Sequence, residues 1–196
     1  MRQAKRTRQT KETRISVELT LDGSGESEVS TGIPFFDHMI AQLGRHGGFN
    51  LRVTAEGDLD VDTHHTIEDV GISLGEALRE ALGEKVGIVR FASVSLPLDE
   101  ALVDVALDLS GRAYLVYEVE FPLDAVALGV PAFEPQLAEE FWRAFVTAAA
   151  LTLHIRMRAG RNTHHILEAS FKGVARALRD AVRVEGTAVP STKGAL

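Results

Sequence analysis

The sequence predicts an α/β (α+β) protein made of two duplicated half-domains, each a mixed sheet with helices on one face. Three observations lead there. The stretches THHTIED at 63–69 and THHILEA at 163–169 repeat one motif, adjacent histidines followed by a glutamate, with His64 and His164 one hundred positions apart. An apolar run at helical spacing follows each copy: Ile67, Val70, Leu74 and Leu78, then Ile166, Leu167, Phe171, Val174 and Leu178. The elements ahead of each copy also come in the same order, an alternating stretch, a short helix and another alternating stretch.

Residues 1–12 are polar, basic and without periodicity, which predicts a mobile N-terminal arm. The first half-domain is expected over 13–86. Thr13 to Leu21 alternates, Asp22-Gly23 turns, and Glu26 to Ser30 returns as the partner strand of a hairpin. Pro34 opens a short helix through Phe35, Phe36, Met39, Ile40 and Leu43 that ends around Gly44 to Gly48. Leu51, Val53 and Ala55 alternate again, and Leu59 and Val61 form a brief strand into the first histidine helix, whose N-cap falls near Thr63.

The second half-domain is expected over 87–186, with the seam near Gly87. Ala101 to Leu109 alternates, Ser110-Gly111 turns, and Ala113 to Val119 is the hairpin partner; nothing is assigned between Gly87 and Ala101. Pro122, Pro131 and Pro135 make 120–135 an irregular excursion, Gln136 to Ala150 reads as a helix, and Leu151 to Met157 as a strand. The second histidine helix follows, with Thr163 near its N-cap, and 187–196 forms a C-terminal tail.

Bulk properties narrow the function. A 45% hydrophobic content over 196 residues fills a core of its own, and no uncharged run is of membrane-spanning length. A net charge of −7 with scattered cations offers no field to a phosphate backbone, so neither nucleic acid nor membrane is an expected partner. The absence of cysteine removes thiolate metal ligands and fits a reducing compartment, so a cytoplasmic protein is expected.

The duplicated motif points to metal. Adjacent imidazoles have little structural use, whereas His64 and Glu68, four apart on a helix, project together, and His65, about 100° round, can serve a second centre. Matching the halves, with a loop shorter by two residues, sets Glu140 where His38 stands in the first half. The candidate ligands are therefore His38, His64, His65, Glu68, Glu140, His164, His165 and Glu168, enough for two ions with positions left for substrate or water. Histidine and carboxylate without thiolate favour Mn, Fe, Zn, Co or Ni. Asp69, replaced by Ala169 in the second copy, reads as a carboxylate orienting a histidine; His46 is a helix cap or a pocket residue, and His154 an ordinary strand histidine.

The chain also resembles the imidazoleglycerol-phosphate dehydratases of histidine biosynthesis, from about Arg8 to the C-terminus. The motifs are TKET at 10–13, TGIPFFDHM at 31–39, AEGDL at 55–59, HHTIEDVGISLG at 64–75, GIVRF at 87–91, LDLSGR at 107–112, TLHIR at 152–156, GRNTHHILEASFKGVARAL at 160–178 and PSTKGAL at 190–196. The resemblance implies a ribosomal protein S5 domain 2-like fold and a lyase that dehydrates imidazoleglycerol phosphate to imidazoleacetol phosphate with two Mn(II) ions per active site. It implies a homo-oligomer of 24 subunits built from trimers. On this chain the family's metal ligands fall on the eight candidates above, with glutamate at Glu140 where some members have histidine. Its acid/base glutamate falls on Glu12, and its phosphate pocket on Gln42, Arg90, Arg112, Lys172, Ser191 and Lys193, with His46 counted among the substrate-binding residues. The two tails are expected to close on substrate, the C-terminal one over the phosphate. A dinuclear metallohydrolase and a non-catalytic metal-binding shell protein are the alternatives.

Overall fold

A computed structural model describes residues 1–196. Two four-stranded sheets share one topology, β1-β2-β4-β3 and β5-β6-β8-β7. The first comprises β1 (Gln3–Gln9), β2 (Thr13–Thr20), β3 (Ser27–Ser30) and β4 (Asn50–Gly57), with helices α1 (Pro34–Gly47) and α2 (His64–Leu82). The second comprises β5 (Phe91–Leu98), β6 (Ala101–Asp108), β7 (Tyr114–Glu118) and β8 (Thr152–Ala159), with α3 (Leu137–Ala149) and α4 (Thr163–Ala181). No helix is long and apolar enough to cross a membrane.

The halves are locked by crossed packing. Besides its own sheet, α1 contacts α4 and α2 contacts α3, so the four helices form the filling between the two sheets. One core unites them, with Phe36, Phe133, Phe141, Trp142, Phe145 and Phe171 fully buried at its centre. The α2–α3 contact is so close that a Cβ at Gly75 would lie 2.5 Å from the Phe145 carbonyl oxygen, and one at Gly71 2.8 Å from that of Phe141. Glycine is what lets these backbones approach.

Four expectations are corrected. The N-terminal arm is a strand: β1 pairs with β2 antiparallel from Gln3↔Thr20 to Gln9↔Arg14. Its inward positions are Ala4, Arg6 and Arg8, and the two arginines reach α2, Arg6 to Glu80 at 2.8 Å and Arg8 to Asp69 at 2.8 Å. An inner face built of arginine stems hides the apolar alternation that marks a strand. The hairpin partners also change. β3 and β7 pair parallel to β4 and β8, reached through a crossover, while the hairpin partners of β2 and β6 are β1 and β5. β5 itself, unassigned in the sequence, carries Pro97 and sits on an edge, where a missing N–H is tolerated. Finally, residues 59–61 form a turn rather than a strand.

Candidate functional site

The crossed packing brings residues from opposite halves together at one end of the helix layer. His38 on α1 and His164 and Glu168 on α4 offer ligand atoms that all lie within 4.8 Å of one another. His164 Nε2 stands 2.8 Å and His38 Nε2 3.3 Å from Glu168 Oε2, while Lys172 Nζ lies 2.5 Å from Oε1. Burial opposes charge on Glu168, but hydrogen bonds from Lys172 and His164 outweigh it and hold the carboxyl at about 2. A part-buried glutamate kept ionised beside two imidazole Nε2 atoms is a nitrogen and oxygen donor set suited to a divalent cation.

Local sequence explains how α4 presents these groups. Asn162, not Thr163, is the N-cap: its side-chain oxygen accepts from the backbone N–H of His164 at 2.9 Å and of His165 at 3.3 Å. At the start of α2, Thr63 is spent on the Ala132 carbonyl at 2.9 Å, and Asp62 accepts from the His64 N–H at 2.8 Å. Phe35, packed on Phe133 of the 120–135 excursion, meets the His164 ring edge-on with centroids 5.2 Å apart.

The remaining candidate ligands do not close a second cluster within the chain. His64 and His65 stand with ring centroids 6.2 Å apart. Glu68 is exposed, and Glu140 faces Arg143 at 3.7 Å. His65 Nδ1 lies 3.0 Å from Asp58 and 3.9 Å from Glu12, and His165 Nδ1 lies 2.8 Å from Glu100. Their partners push both imidazoles above the ordinary histidine range, Asp58 for His65 and Glu100 for His165, and His165 in turn holds Glu100 at about 2. Asp69 orients no histidine. It is buried, accepts from Thr13 Oγ1 and from Arg8 Nε, and so ties β1 and β2 to α2. Asp58 and Glu100 escape a search restricted to the motif, although each is an acid in a turn next to a strand end.

Along α1, Gln42 Nε2 lies 3.3 Å from His38 Nδ1, and Gln42 Oε1 3.1 Å from His46 Nε2. Burial, together with Lys172, Arg176 and Arg45, pushes His46 below the usual histidine range. The other expected phosphate ligands gather elsewhere. Arg90, Arg112, Ser191 and Lys193 line a cavity of about 1040 Å³ between β5 and the C-terminal tail. The Arg90 fork is occupied, by Asp108 at 2.7 and 3.1 Å and by the Pro190 carbonyl at 2.7 Å, so it anchors the tail. The Arg112 side chain makes no ion pair.

The two groups sit at opposite ends of α4. The Arg90 N–H bonds the Ala181 carbonyl at 2.9 Å. At 1.5 Å per residue, the seventeen positions from His164 to Ala181 span about 25 Å.

A duplicated α/β fold with a histidine–glutamate cluster at one end and a cationic cavity at the other defines a metal-binding enzyme. Comparison with known proteins makes this particular. A family model for imidazoleglycerol-phosphate dehydratase matches residues 31–178. The imidazoleglycerol-phosphate dehydratase of Acidothermus cellulolyticus is 56% identical over 196 residues, covering 100% of this chain and 93% of its own. That of Desulfitobacterium hafniense is 56% identical over 200 residues, covering 100% and 99%. Among solved structures, the enzyme from Pyrococcus furiosus superposes with a TM-score of 0.84 at 40% identity, covering 97% of this chain and 100% of its own. The Staphylococcus aureus enzyme gives 0.82 at 35% identity, covering 93% and 99%. The chain belongs to the imidazoleglycerol-phosphate dehydratase family, the hydro-lyases of histidine biosynthesis.

Proposed function

We propose that the enzyme dehydrates D-erythro-imidazoleglycerol phosphate to imidazoleacetol phosphate at a pair of Mn(II) ions, in an active site shared between copies of the chain. The observation that carries this reading is the meeting of His38 from one half with His164 and Glu168 from the other. These three would hold one ion, and His64, His65, Glu68, Glu140 and His165 supply the donors for a second. The donors present fit such ions, since Glu168 is ionised and His65 and His165 direct Nδ1 to carboxylates, which leaves Nε2 as the donor nitrogen; His165 Nε2 has Asp99 Oδ2 at 3.7 Å, beyond hydrogen-bond distance. When bound, such cations supply Lewis acidity that stabilises negative charge on the substrate's imidazole.

The chain's own groups divide the rest of the work. Glu12, on the turn between β1 and β2 and 3.9 Å from His65, takes the proton from the substrate's C2. The hydroxyl on C3, beside the ring, leaves as water with a proton, and the resulting enol tautomerises to the ketone. Arg112, Ser191 and Lys193 bind the phosphate, Arg90 steadies the tail that carries the last two, and Gln42, His46 and Lys172 complete the pocket from the metal end. The C-terminal tail, 187–196, closes over the phosphate.

Geometry supports a shared site. The substrate spans roughly 10 Å, far less than the distance of about 25 Å along α4 between the metal end and the anion end of one chain. One copy must therefore bring its anion end to another's metal end, which accords with a closed assembly of 24 subunits built from trimers. The test is metal-depleted protein restored separately with Mn(II), Zn(II), Mg(II) and Fe(II). The ultraviolet-absorbing keto product should return with Mn(II) and no inorganic phosphate should appear; release of phosphate would instead identify a metallohydrolase.

A further inference from the structure

His65 and His165 hold the same place in the two motifs, yet their Nδ1 atoms are satisfied by acids that are not counterparts. Superimposing β2–β4 on β6–β8 by their buried pairs, Val17 with Val53 and Val105 with Ile155, sets Glu12 on Glu100, and beyond the β-bulge in β8 opposite Leu102 and Val103 it sets Asp58 on Arg161. In the second half Glu100, immediately before β6, takes His165 Nδ1 at 2.8 Å. Its other oxygen accepts the backbone N–H of Asn162 at 2.8 Å and of Arg161 at 3.3 Å. In the first half the counterpart Glu12 stands off at 3.9 Å, because Asp58, from the turn after β4, occupies His65 Nδ1 at 3.0 Å. Where Asp58 has its counterpart the second half has no acid, so Glu100 holds Nδ1 unopposed, while Asp99 Oδ2 lies 3.7 Å from Nε2 across the ring, beyond hydrogen-bond distance.

We propose that Asp58 and Glu100 are positioning residues that fix His65 and His165 as Nδ1–H tautomers with Nε2 turned to metal, and that Asp58, by taking this duty over, leaves Glu12 unengaged for proton transfer. The physical basis is that a neutral imidazole has one N–H, and a carboxylate facing Nδ1 decides which nitrogen carries it. Loss of such a partner typically weakens metal binding by about 10–100-fold. The duplicated fold thus starts from two equivalent glutamates and assigns one to structure and one to chemistry, through a single aspartate present in only one half. The inference rests on the proposed metal and Glu12 roles.

The experiment uses the full-length protein, ¹⁵N-labelled on histidine, at a pH where the rings are neutral. In the metal-free wild type both second histidines of the motifs should show the Nδ1–H tautomer. Glu100→Ala should abolish that signature at His165 alone, and the double variant Asp58→Ala/Glu12→Ala at His65 alone, since in Asp58→Ala by itself Glu12 takes over Nδ1. Glu100→Gln, which keeps an acceptor, should restore it, separating lost positioning from misfolding. Mn(II) titration should then show affinity about 10–100-fold weaker in Glu100→Ala and in the double variant. With Mn(II) saturating, Asp58→Ala should lower kcat with little change in KM, as Glu12 is drawn onto His65. An unchanged tautomer in folded Glu100→Ala or in the folded double variant overturns the proposal, as does unchanged Mn(II) affinity in either. A wild type that keeps both tautomers but binds no Mn(II) would instead refute the metal reading on which it rests.

Discussion

Glu12 is where one carboxylate is asked to do the most. It is exposed on the β1–β2 turn, its backbone N–H held by Thr10 Oγ1 at 3.1 Å, so replacement by glutamine disturbs no packing. Glu12→Gln should leave Mn(II) stoichiometry and thermal stability unchanged while turnover falls about a hundredfold to ten-thousandfold; turnover near that of the wild type would remove Glu12 from the chemistry. A different residue controls a pH effect. Lys85 is buried with its ammonium on the Leu109 carbonyl at 3.0 Å, and burial, with repulsion from Arg79, holds its pKa below the ordinary 10.5. The unfolded chain therefore binds the extra proton between the folded value and 10.5, so the cost of the buried charge is present at neutral pH and relieved as pH rises through that window. Denaturant titrations should show the wild type gaining stability relative to Lys85→Met as pH climbs toward 10.5, whatever their difference at pH 7. A difference that stays flat over that range would mean that Lys85 is not strained by its charge.

At the scale of elements, α2 and α3 depend on two glycines. A methyl at Gly75 would have to displace the Phe145 carbonyl and the Ala148 Cβ, 2.5 and 2.8 Å away, neither of which is the end of a flexible chain. Gly75→Ala should thus lose about 1–3 kcal/mol of stability, despite alanine's better helix propensity, and chemical denaturation will read the sign directly. The elements also show what a sequence carries and what it hides. Helices α1 to α4, and strands β2, β4, β6 and β8, are legible because each buries one apolar face at a fixed period. β1 is not, since arginine stems line its inner face and find acids on α2. β3 and β7 are legible as strands, but alternation reports burial and not which neighbour a strand pairs with or in which direction, so the pattern suggests hairpins that neither forms. At the site, the motif histidines and Glu168 announce themselves by duplication. Asp58 and Glu100 do not, because an acid in a turn carries no period and gains meaning only when folding sets it against an imidazole.

For the whole molecule, the shared site proposed above would link metal binding to assembly. If an ion is bound only where copies meet, each stabilises the other. Light scattering should therefore register a smaller particle once the metal is chelated and recovery when Mn(II) is restored; a particle of unchanged size after verified removal would uncouple the two.

The length of α4 has a further consequence, visible only in mixtures. A chain with His164→Ala keeps an intact anion end, and a chain with Lys193→Ala keeps an intact metal end; each homogeneous assembly should be nearly inactive. Dissociated together and reassembled in equal amounts, they would place an intact metal end opposite an intact anion end at about a quarter of the sites by random draw. Two dead proteins should thus yield a live one, with roughly that fraction of wild-type activity, which no arrangement confining both ends to a single chain can produce.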